Sequence, residues 1–161
     1  LIKKTTNNYF PWSGRYKITV LNAKTRELIQ EDDIDNLVTD DALQELKKAF
    51  EDGSNDMDIK YIALGTGTTA VSASDSTLDN EQARFYKTNQ FDDGIGSIKT
   101  IFFVLDNEAK FEIEEIGLFG GSGASLVLDS GLMISRILWN FDKTVDDVEI
   151  QFSRFDTLGR G

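Results

Sequence analysis

The chain has 161 residues, with 17 basic and 28 acidic side chains and neither histidine nor cysteine, giving a net charge of −11. This composition excludes thiol nucleophiles, Ser–His dyads, disulfides and zinc sites of the ordinary ligand types. It offers no clustered Lys and Arg for a nucleic-acid face and no run near the ~20 apolar residues of a membrane helix. The acid is uneven: residues 31–58 hold 11 acidic and 2 basic side chains, which reads as a solvated acidic face.

Residues 1–13 read as an N-terminal arm, polar at first and then aromatic at Tyr9, Phe10 and Trp12. Arg15–Leu21 alternates, with Tyr16, Ile18 and Val20 on one face, the period-2 signature of a half-buried strand. A turn at Asn22–Thr25 returns the chain through Glu27–Glu31 as a hairpin partner. Thr39 or Asp40 caps the one short α-helix, about residues 40–52, and Asp40 and Asp41 sit where the helix dipole favours negative charge. Leu43, Leu46 and Phe50 form its apolar stripe, expected to pack on a sheet, and Gly53 stops it.

Further strands are expected at Ile59–Leu64, Gln82–Thr88, Ser97–Leu105, Phe111–Ile116, Leu132–Trp139 and Val145–Phe152. Asp92-Asp93-Gly94 marks a turn. Ser97–Leu105 is apolar on both faces, which predicts a position that is central or between layers. Residues 154–161 read as a C-terminal tail after a β-rich domain over 14–153. Eight or nine short strands and one helix predict a mainly β, single-domain antiparallel β-sandwich or flattened barrel.

Tyr61-Ile-Ala-Leu-Gly-Thr-Gly-Thr-Thr-Ala70 has the outline of a nucleotide-binding turn. The fingerprint needs a helix after its glycines, to hold pyrophosphate on free N–H groups. Val71–Asn80 is instead rich in Ser, Asp and Asn, with no apolar repeat at helical spacing. The reading is a strand that ends in a flexible glycine loop, with no cofactor.

Carboxylates are the catalytic route that the composition leaves open. Glu112 and Glu114 share a strand face about 6–7 Å apart, within the range of glycosidase pairs, although alternating Glu on a solvent face is far commoner. Asp92-Asp93 and Asp106-Asn107-Glu108 are oxygen clusters without the spacing of a calcium loop and read as turns. No catalytic, cofactor or metal residues are assigned. Phe119 and Phe155, near a turn and an end, join Tyr9, Phe10 and Trp12 as candidates for a subunit interface.

An ordered set of blocks carries a resemblance. Gly14-Arg-Tyr-Lys-Ile-Thr-Val and Asn36-Leu-Val-Thr-Asp precede the helix. Tyr61–Ala70, then Ser74-Asp75-x-x-Leu78-x-x-Glu81-x-x-Arg84 and Ile113-x-Glu115-Ile-Gly-Leu-Phe119, follow it. Over residues 14–152 the chain resembles tailed-bacteriophage and prophage virion proteins of the tail-fibre and tail-collar attachment kind. The resemblance implies a non-enzymatic structural protein of the virion at the tail, baseplate, collar or neck. Its implied partners are other virion proteins and copies of itself in a ring or trimer, with no nucleic acid, no membrane insertion and doubtful contact with a host receptor. The competing expectations are a capsid decoration or head-fibre protein and a carboxylate-dependent glycan hydrolase.

Overall fold

The computed structural model describes residues 11–159. Nine strands, β1 (Trp12–Asn22), β2 (Leu28–Val38), β3 (Ile59–Gly65), β4 (Glu81–Tyr86), β5 (Asn89–Asp92), β6 (Ser97–Val104), β7 (Glu112–Gly120), β8 (Leu132–Asp142) and β9 (Val148–Leu158), accompany one helix, α1 (Asp40–Glu51). The fold is mainly β, as expected. All strands belong to one antiparallel sheet, in the order β4-β3-β7-β8-β2-β1-β9-β6-β5, curled into a half-barrel. Its edge strands β4 and β5 are joined by Lys87 and Thr88, whose N–H groups donate to the carbonyls of Lys60 and Ile101. This short link bridges the opening of the curl.

The concave face holds the main core. Tyr16, Ile18 and Val20 alternate inward on β1 as expected, and all three are fully buried. Their cross-strand partners on β9 are Arg154, Phe152 and Ile150, and Phe102 and Val104 continue the layer on β6. Trp139 meets Phe152 edge-on at 6.0 Å. A second, smaller cluster of Ala63, Leu78, Phe119 and Met133 lies on the convex face of β3, β7 and β8. The loops 66–80 and 121–131 cover it.

Several expected positions move. The tail expected over 154–161 is strand through Leu158, and the expected arm gives up Trp12 and Ser13 to β1. Register with β1 and β6 on either side holds β9 to its end. β6 lies next to the edge strand β5 rather than at the centre; its second apolar row, Ile101 and Phe103, is half-buried on the uncovered convex face.

The helix keeps its expected ends, but of its stripe Leu43 and Phe50 face outward and only Leu46 is half-buried. Thr39 caps it, accepting from the Ala42 N–H at 3.2 Å while its hydroxyl donates to the Met133 carbonyl at 2.6 Å. Gly53, at φ +74°, follows the last turn and donates to the Lys48 carbonyl, as helix-terminating glycines do. The cap ties the first turn to β8 and sets the rotation of the helix. Ala42 therefore points into the core, and Phe50 is left 78% exposed.

Candidate functional site

Glu115 is the centre of the convex face. It is fully buried, and its carboxylate accepts four hydrogen bonds. Gly67 and Asn80 N–H groups donate to Oε1 at 2.9 and 2.8 Å, and Asp79 N–H and Arg136 Nε donate to Oε2 at 3.0 and 2.9 Å. Arg136, on neighbouring β8, reaches on to Asp75 at 3.2 Å, Asp79 at 3.1 Å and the Thr69 carbonyl at 3.0 Å. Burial opposes the Arg136 charge, but Glu115, Asp75 and Asp79 outweigh it and the pKa is raised. Thr69 holds Asp79 below its ordinary pKa through its hydroxyl and its N–H.

The expected flexible glycine loop is thus a pinned one. It presents backbone N–H groups to an anion, and the anion is the chain's own Glu115. A Cβ at Gly65 would lie 2.6 Å from Glu115 Oε1 and 2.6 Å from the Asn80 carbonyl oxygen; one at Gly67 would lie 2.5 Å from Oε1. These glycines are required by close approach of the carboxylate, not by a left-handed backbone.

A second buried pair anchors the other loop. On β4, Arg84 Nε and Nη2 donate to Glu81 Oε1 and Oε2 at 2.6 and 2.9 Å. Its Nη1 donates to the carbonyls of Ser125 and Ser130 and to the Ser130 hydroxyl, each at 2.9 Å. Glu81 Oε2 also accepts the Asp129 N–H at 2.8 Å. The guanidinium lies 4.6 Å above the Phe119 ring, a favourable cation–π geometry. Burial and then Glu81 raise the Asp129 pKa. Between these anchors Leu126 and Val127 stand 71% and 69% exposed, with Leu128 beside them at 44%.

The third pair lies inside the curl. Arg154 Nε and Nη2 donate to Asp156 at 3.0 and 2.7 Å, and Nη1 donates to Asn36 and to the Ser135 hydroxyl. The Tyr16 ring lies 4.7 Å beneath the guanidinium. A side chain at Gly14 would collide with Arg154. Trp12 Nε1 donates to Asp156 Oδ1 at 2.9 Å. Beside this group a cavity of about 510 Å³ opens, walled by Trp12, Leu46, Met57, Ile98 and Leu158, with Asp156 at one side.

Of the expected interface residues, Tyr9 and Phe10 lie outside the described residues. Trp12 lines the cavity. Phe119 is fully buried under Arg84, so its ring presents no surface to a neighbour; the turn that suggested exposure folds back over it. Phe155 faces outward on β9, with Arg15 at 4.5 Å and Lys99 at 5.3 Å from the ring centre. Glu112 and Glu114 both accept from Asn140 Nδ2, at 3.0 and 2.8 Å, and neither lines a described cavity. Asp92 closes its turn by accepting the Gly94 N–H.

The Asp106–Glu108 loop is held by Lys143. This buried ammonium donates to the carbonyls of Leu105 and Glu108, each at 2.6 Å, and of Asp106 at 3.3 Å. Burial lowers its pKa. Among the described residues no cluster suited to a metal ion occurs, and no buried side-chain N or O lacks a partner. The organising residues that the sequence reading missed are Arg136, Lys143 and Arg154; Arg84 stood in it only as the end of the Ser74–Arg84 block. For Arg136 the one signal is a lone cation inside an apolar strand run, Ile134-Ser-Arg-Ile137; Lys143, in the turn after β8, has none. No protein-family model, characterised protein or solved structure matches the chain.

Proposed function

We propose that the protein is a non-enzymatic structural subunit of a tailed-phage virion. It assembles at the tail, baseplate, collar or neck as an adaptor or fibre-attachment subunit, in contact with copies of itself and with other virion proteins. One observation carries this reading. The blocks that bear the resemblance, Tyr61–Ala70, Ser74–Arg84 and Glu115–Phe119, meet at one place, and their polar groups are spent on each other. Glu115 binds the glycine loop and Arg136; Glu81 and Arg84 bind the 121–131 loop. The motifs serve architecture, and what they hold toward solvent is aliphatic surface suited to a protein partner.

The test is location. Particles of the phage that encodes the protein are purified, probed by mass spectrometry, and labelled with antibody for electron microscopy. Label at the tail, neck or baseplate is the expected result. Label spread over the head would favour a decoration protein, and absence of the protein from intact particles would end the virion reading.

A further inference from the structure

We propose that Asp93, in the turn between β5 and β6, is a site of spontaneous covalent modification, where the chain rearranges through a succinimide to an isoaspartyl linkage. The inference is independent of the virion reading. The sequence holds two Asp-Gly pairs, Asp52-Gly53 and Asp93-Gly94, and no Asn-Gly. Glycine after an acid favours this reaction, because it leaves its nitrogen unhindered and the backbone free to turn. Space does not distinguish the two pairs, since each glycine has nothing within 4 Å of where a Cβ would stand. The fold separates them.

The step needs a protonated carboxyl group and a free nitrogen. Gly94 N bonds to Asp93 Cγ, the Cγ–OH bond breaks, and the hydroxyl leaves as water with the amide proton. Water then adds to the ring. Opening at the former main-chain carbonyl routes the chain through the side chain, which lengthens the backbone by one methylene and frees an α-carboxylate. Water is the only co-reactant, and the net mass is unchanged.

At Asp52 both groups are taken. The Ser54 hydroxyl and the Ser54 N–H donate to its Oδ1, and these bonds hold the carboxyl below its ordinary pKa, in the ionised form that does not cyclise. Gly53 N–H donates to the Lys48 carbonyl at 3.1 Å, so ring closure there has to unwind the end of α1. Asp93 is exposed. Its turn is closed by main-chain bonds from Asp93 N–H to the Ser97 carbonyl and from Ser97 N–H to the Gly94 carbonyl, each at 3.0 Å, which do not use its carboxyl group. Gly94 N–H donates to a side chain, Asp92 Oδ1, at 2.9 Å. That side chain stands on β5, which has four residues, all exposed, and pairs on one side only. An element held so lightly opens locally at little cost. The product lengthens the turn whose Gly94 and Gly96 wall the cavity beside Trp12.

The test ages the full chain for several weeks at physiological temperature and mildly acid pH, then digests it with trypsin. The peptides Thr88–Lys99 and Ala49–Lys60 report on the two sites. Electron-transfer fragmentation locates isoaspartate, because its extra main-chain carbon–carbon bond breaks to give ions that aspartate does not. In the folded chain Asp93 is expected to convert faster than Asp52 by about tenfold or more. In guanidinium chloride, where neither environment survives, the two rates should converge. The aged chain should also accept methyl groups from S-adenosylmethionine through an isoaspartyl methyltransferase, and Gly94→Ala should lower that signal severalfold. Equal conversion of the two sites in the folded chain, faster conversion at Asp52, or no isoaspartate at Asp93 overturns the proposal. A preference for Asp93 that persists undiminished in denaturant overturns it too, because it would then come from the neighbouring sequence and not from the fold.

Discussion

Replacing Glu115 with Gln changes one atom and should unfold the protein well below its normal midpoint. The parent carboxylate faces four donors, two on each oxygen. An amide placed with its oxygen toward Gly67 and Asn80 turns its NH₂ toward Asp79 N–H and Arg136 Nε, donor against donor. The opposite flip makes the same conflict with Gly67 and Asn80. Arg136 meanwhile loses its fully buried counter-charge and keeps Asp75 and Asp79, which are partly exposed. Breaking a buried pair by removing one charge costs about 3–5 kcal/mol. At about 2–4 °C per kcal/mol for a chain of this size, Tm should fall by about 6–20 °C. Urea unfolding gives the free energy, and thermal circular dichroism gives Tm. Glu114→Gln, one residue away and half-exposed, is the control and should stay within about 0.5 kcal/mol of the parent. A Glu115→Gln protein within about 1 kcal/mol of the parent would refute the idea that this carboxylate organises the convex face.

Three other outcomes follow from the geometry. Gly14→Ala should destabilise by about 1–3 kcal/mol or more, because the added methyl enters the Arg154 guanidinium; an unchanged denaturation midpoint would contradict the packing. Burial raises the Tyr16 pKa above the ordinary 10.0. The unfolded chain therefore loses that proton first, so the contribution of Tyr16 is complete below pH 10 and is lost as pH rises beyond it. Tyrosinate absorbance should show one of the four tyrosines titrating only with unfolding, and Tyr16→Phe should abolish that step. Phe50→Gln should leave stability within about 0.5 kcal/mol of the parent, since the ring is exposed; a loss above about 2 kcal/mol in chemical denaturation would return the ring to the core.

What the sequence disclosed was periodicity, and what it concealed was contact between distant segments. Tyr16, Ile18 and Val20 announce their face because a strand alternates strictly. Glu115 conceals its own. Alternation sets it on the face of Ile113, but an irregularity in the β7–β8 register between Ile113 and Glu115 puts Ile113 and Ile116 in the same core and turns Glu115 to the other side. The helix stripe of Leu43, Leu46 and Phe50 is a true pattern on α1. Yet Thr39, bonded to Met133, decides which face turns inward, and a small residue, Ala42, takes the buried place. The glycines of Thr66-Gly67 and Gly65 were visible as a motif. Their reason, a carboxylate some 50 residues away, was not, because no local rule couples residues at that separation. Nearness to turns and ends marks Phe119 and Phe155 alike, but the chain folds back over Phe119 and leaves Phe155 facing outward.

The position of β9 has a consequence for the order in which the molecule can be made. β9 is the last of the described strands, yet it lies between β1 and β6, pairing Trp12 with Leu158 on one side and Ser97 with Thr157 on the other. During synthesis the β1–β2 and β5–β6 hairpins have no shared strand until β9 has left the ribosome. Arg154 and Asp156, which join Tyr16, Gly14 and Trp12, arrive with it. Closure of the sheet is therefore a late, long-range event, of the kind that slows folding and leaves strand edges open meanwhile. Nascent copies pass through an interval in which β1 and β6 both offer unpaired edges, and a chain cut short before Val148 would be left there.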